Sequence, residues 1–95
     1  MLNSFSLCGM IDGCAEKSRT SAEFYLIVER NFREENGLRN SDRFRIKIWR
    51  GMADEINSIV EDGTLAAVKG RMKVENGEIV LIAEQVSVDR RKMTE

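Results

Sequence analysis

Arg43-Phe44-Arg45-Ile46-Lys47-Ile48-Trp49-Arg50 runs straight into Gly51-Met52-Ala53-Asp54-Glu55-Ile56-Asn57-Ser58-Ile59-Val60, and the change of period at that junction decides the fold. In the first eight residues apolar and basic side chains alternate. Phe44, Ile46 and Ile48 therefore point one way, and Arg43, Arg45, Lys47 and Trp49 the other, as on a half-buried strand. From Ala53 onward the apolar positions are Ala53, Ile56, Ile59 and Val60, which is helical spacing, and Gly63 is placed to stop the helix.

The flanks are read the same way. Phe5, Leu7, Gly9 and Ile11 alternate with smaller or polar residues and predict a first strand, followed by a Gly-, Ser- and charge-containing loop over 12–20. Phe24, Leu26 and Val28 predict a second strand running on toward Phe32, and Asn36-Gly37 is a two-residue turn signal. A fourth strand is expected over 64–74 and a fifth over 78–88, joined by a tight hairpin at Asn76-Gly77. Gly70, inside the fourth strand, marks a close approach or a bend. The order is three strands, one helix, two strands. It predicts an all-β domain, a five-stranded OB-fold barrel with one short helix between strands three and four. The domain spans 1–89, and 90–95 form a short polar tail expected to fray.

A chain of 95 residues makes one domain with one modest core. At 42% hydrophobic and 33% charged residues it is a folded, soluble type of sequence rather than a disordered one. With no histidine, imidazole bases and the commonest zinc ligand sets are excluded. No nucleophile–base pair, metal cluster or phosphate loop is legible, so neither an enzyme nor a metal or cofactor is expected. Asp54, Glu55, Glu61 and Asp62 read as a solvated helix face. Cys8 and Cys14 form no CxxC pair, and the broken apolar stretch 1–11 is neither a signal peptide nor a membrane span. A cytoplasmic protein with reduced thiols and no membrane partner is the expectation.

The net charge of −1 hides a segregation. No acid interrupts 43–50, whereas 54–62 contain no base. Lys and Arg alternating toward a Trp on one strand face make a groove in which cations neutralise phosphates and the indole stacks a base. The alternative is a charged outer face with Trp49 tucked under a loop. Lys69, Arg71 and Lys73 alternate likewise on strand four, and two such strands close together would make a continuous cationic surface. Phe32, following Arg30, is either a stacking platform or a core cap. The candidate nucleic-acid-binding residues are Arg30, Phe32, Arg43, Arg45, Lys47, Trp49, Arg50, Lys69, Arg71 and Lys73.

These segments resemble the bacterial single-stranded-DNA-binding protein family along most of the chain. The matching pieces are Leu2-Asn3 with Leu7 and Gly9; Phe24, Leu26, Val28, Arg30 and Phe32 at alternate positions; Asp42 with Trp49-Arg50; and the Ala53 helix. Gly63-Thr64-Leu65-Ala66, Val68-Lys69-Gly70-Arg71 and Ala83-Glu84 with Val86 complete them. The resemblance implies an OB fold, sequence-tolerant single-stranded DNA binding in replication, recombination or repair, and a homo-oligomer, tetramer or dimer. It also implies base stacking at Phe32 and Trp49. This sequence departs from the family in having Arg43 where a further aromatic is common, a hairpin at Asn76-Gly77 in place of a longer loop, and a short first loop. The shortened hairpin predicts a small footprint on DNA. No acidic tail follows Glu95, so recruitment of partners through such a tail is not expected. The related primosomal replication protein N shares that absence and the run of Leu81, Ala83, Glu84 and Gln85. It gives an alternative, an OB scaffold acting through protein–protein contacts with other replication or primosome proteins.

Overall fold

Each strand carries apolar residues on one side, and closing the sheet on itself gives those sides a common interior. The computed structural model describes residues 1–33, 37, 39–59 and 64–89, without the side chains at 31–33, 39 and 59. Its elements are β1 (Phe5–Lys17), β2 (Ala22–Arg33), β3 (Arg39–Ile48), α1 (Arg50–Ile59), β4 (Leu65–Glu75) and β5 (Glu78–Asp89). The strands form a closed barrel in the order β1-β2-β3-β5-β4, antiparallel throughout except at β3–β5. That parallel joint is short, with Ile46 opposite Leu81 and Lys47 opposite Ile82. Five strands with one helix between the third and fourth is the architecture the element order predicts.

Ile11, Phe24, Leu26, Ile46 and Val68 fill the interior, all at 2% exposure or less. Removing each such side chain from water is worth about 1.5–3 kcal/mol before chain entropy is counted. The helix closes one end by burying Ala53 and Ile56 completely. Asn57 fastens it to β1, accepting from the Ala15 N–H at 2.8 Å and donating to the Ala15 carbonyl at 3.0 Å. Of the remaining helix expectations, the side chain of Ile59 and residues Val60 and Gly63 lie outside the described residues.

The loop expected over 12–20 is a strand for most of its length. β1 continues to Lys17, and the connection to β2 shrinks to 18–21, closed by Ser18 N–H donating to the Ser21 carbonyl at 2.8 Å. The register shifts between Asp12 and Glu16, where Gly13 takes φ +79°. This bulge lets one strand serve two neighbours: 5–10 pair with β4, and 10–17 with β2. It also breaks the alternation that would have announced the strand.

The hairpin reading at Asn76-Gly77 holds, both residues having positive φ (51° and 80°), as a two-residue turn between twisted strands requires. Gly70 sits at a second bulge, where a Cβ would lie 1.9 Å from the Ile82 carbonyl oxygen, so only glycine fits. Gly37 has φ +80°, while Asn36, the first residue of that expected turn, lies outside the described residues, as do 90–95. No described helix is long and apolar enough to cross a membrane.

Candidate nucleic-acid interface

Alternation on β3 buries Ile46 and Ile48 and leaves Arg43, Arg45 and Lys47 on the outer surface. β3 ends at Ile48. The carbonyl of Trp49 then accepts from the Met52 and Ala53 N–H groups at 3.0 and 3.3 Å, starting α1. Trp49 remains 48% exposed, with its indole beside the bare backbone of Gly51. At that exposure it is not tucked under a loop of the described residues.

The cations on this face already have partners, and those partners come from other strands. Arg43 Nε donates to Asp12 Oδ2 at 2.9 Å, and its guanidinium carbon stands 3.6 Å above the centre of the Tyr25 ring. Arg45 Nε donates to Glu23 Oε1 at 2.9 Å. Glu75, at the hairpin, binds Lys47 Nζ at 3.2 Å and Lys73 Nζ at 2.7 Å. The Lys73 and Lys47 ammonium groups hold the Glu75 carboxyl below its ordinary value. Half-exposed pairs of this kind contribute about 0–1 kcal/mol each, so a phosphate can replace the carboxylate at little cost.

The expected continuous cationic surface of strands three and four is not formed. β5 lies between them in the barrel. Across it, Lys47, Ile82 and Arg71 fall in one row, and Arg71 is paired with Glu84 at 3.3 Å. The outer surface is therefore a patchwork of both signs, with Lys73 tied to β3 through Glu75.

Of the other candidates, Arg30 forks onto Asp42, Nε to Oδ2 at 3.0 Å and a terminal nitrogen to Oδ1 at 2.8 Å. That hydrogen-bonded guanidinium lowers the Asp42 pKa. Asp42 alternates with Arg43, so Arg30 is engaged on the side of the β2–β3 ribbon away from Arg43 and Arg45. Lys69 lies opposite Ser6 of β1 and Gln85 of β5, away from β3. Arg50 is exposed in the first turn of α1. Phe32 lies in β2, and its side chain is outside those described. The structure thus puts Arg43, Arg45 and Lys47 on the outer face of β3, ties Lys73 to that face through Glu75 with Arg71 adjacent, leaves Trp49 exposed just past the strand's end, and sets Arg30 and Lys69 apart. Asp12, Glu23, Tyr25 and Glu75 were not singled out from the sequence. Tyr25 had a signal, since it alternates with buried Phe24 and Leu26. Cys8 and Cys14 are free and exposed.

The sequence model of the Single-strand binding protein family matches residues 2–88. The chain belongs to this family. Among similar Single-strand binding family members, a single-stranded DNA-binding protein of Streptococcus mutans is 33% identical over 92% of this chain, which spans 59% of that protein's length. A Streptococcus pyogenes protein, single-stranded DNA-binding protein 1, is 30% identical over 92% of the chain and 75% of its own length. Small single-stranded DNA-binding proteins of Mycoplasma pneumoniae and Streptomyces coelicolor have the same fold. The first gives a TM-score of 0.68 at 16% identity, covering 100% of this chain and 99% of its own. The second gives 0.68 at 17%, covering 94% and 95%. The barrel is an OB fold of the Single-strand binding family.

Proposed function

We propose that this chain binds single-stranded DNA without sequence preference and catalyses no reaction, serving DNA replication, recombination or repair in the cytoplasm. The observation that carries the reading is Trp49, half in water at the end of a strand whose outer face is Arg43, Arg45 and Lys47, in a chain of this family. Trp49 stacks a base, and Phe32 is the second candidate ring. Arg45, Lys47, Lys73 and Arg71 exchange their carboxylates for backbone phosphates. Arg50 and Lys69, for which no ion pair is present among the described residues, and Arg30 add contacts along the path. The chain works as a homo-oligomer, in keeping with Leu2, Val74 and Ile79, whose exposure of 70% or more leaves apolar surface in water.

Trp49 is the only tryptophan, so its fluorescence reports on the site directly. Titration with oligo-dT should quench it, and log K should fall linearly with log salt, by about 0.7 for each phosphate neutralised. Unchanged fluorescence together with no retention of oligo-dT at low salt would overturn the reading.

A further inference from the structure

Arg43 differs from its neighbours on β3 in having two partners at right angles in function, a carboxylate at its edge and an aromatic ring beneath it. Asp12 Oδ2 accepts from Nε at 2.9 Å, while the guanidinium carbon lies 3.6 Å over the centre of Tyr25. Asp12 and Tyr25 are themselves register partners on β1 and β2, so the support is built into the sheet. The Arg43 side chain is nevertheless 55% exposed. A guanidinium resting on a ring at van der Waals distance offers its opposite face to whatever lies above.

We infer that Arg43, laid on Tyr25 and fixed by Asp12, is a stacking platform for a nucleobase rather than a phosphate clamp. The inference deepens the DNA-binding reading and rests on it. Arg45 and Lys47 are paired with carboxylates as well; what sets Arg43 apart is the Tyr25 ring beneath it, and stacking depends on the planar, weakly hydrated face, which the Asp12 pair leaves intact. Two restraints on one side chain also remove most of the rotamer freedom that binding would otherwise freeze. Trp49 and Arg43 then bracket β3 with two platforms ~20 Å apart along the strand, and Arg45 and Lys47 lie between them for the backbone. Tyr25 acts as a positioning residue.

The test is the same oligo-dT titration on Arg43→Lys, Tyr25→Leu and Tyr25→Phe. Lysine keeps the charge and can keep the Asp12 pair, but it has no plane. Arg43→Lys should weaken binding by about tenfold, the range of one base–side-chain stack, with the salt slope unchanged. Tyr25→Leu should lose a similar factor, Tyr25→Phe should restore it, and Arg43→Lys combined with Tyr25→Leu should cost no more than either alone. Binding by Arg43→Lys within about twofold of the parent would overturn the inference, because a phosphate contact survives that change. Failure of the parent chain to bind oligo-dT at all would instead remove the reading beneath it.

Discussion

Trp49 is where strand gives way to helix, and that junction keeps its ring in water. Its carbonyl is committed to the first turn of α1 while Gly51 offers no side chain to cover the indole. Trp49→Ala should therefore leave the fold intact and cost about 1–3 kcal/mol of single-stranded DNA affinity. Isothermal titration at several salt concentrations should show the loss without a change in slope, since stacking releases no counterions. A melting transition that collapses in the variant would assign the indole a structural role instead. That Arg45 and Lys47 face outward while Ile46 and Ile48 are buried was readable from alternation within eight residues. What those cations touch was not. Their carboxylates lie 31, 22 and 28 residues away in sequence for Arg43, Arg45 and Lys47, and only barrel closure brings them together.

The β4–β5 hairpin is an element with two loyalties. Asn76-Gly77 announced the turn, yet nothing local showed that Glu75 before it would reach Lys47 on β3. Glu75→Gln should release Lys47 and Lys73 to the DNA, raising oligo-dT affinity and steepening its salt dependence; weaker binding by this variant would mean that Glu75 orders the site. The same pair fixes a pH response. The folded chain holds Glu75 and Asp42 below their ordinary values of 4.5 and 3.8, so at low pH the unfolded chain binds these protons more readily. The stabilisation is complete above that range and is lost as pH falls through the lowered values. Thermal melts from pH 6 downward should show the midpoint dropping at about pH 4 and below, by less in Glu75→Gln. β1 carries the opposite lesson: its second half was hidden because the Gly13 bulge interrupts the two-residue period on which strand recognition depends.

For the molecule as a whole, a net charge of −1 is compatible with the proposed DNA partner because Arg45 and Lys47 are held in half-exposed pairs whose carboxylates a phosphate can replace. Leu2, Val74 and Ile79, together with residues 5–8 of β1, which have β4 on one side ahead of the β2 pairing that begins at Met10, argue for a partner copy. Sedimentation equilibrium at micromolar concentration should give a multiple of 10.8 kDa, and a value at 10.8 kDa would show that the monomer is sufficient. The parallel joint between β3 and β5 has a further consequence. β4 and β5 are zipped together from Leu65–Asp89 to Glu75–Glu78, but β3 and β5 meet over a couple of rungs. A cask breathes at its shortest stave joint; the successive amides of Leu81 and Ile82 point to opposite neighbours, and the one facing β3 should exchange ahead of the one facing β4. Lys47 sits on that joint, and a nucleic-acid strand laid across it would act as a splint, slowing the exchange.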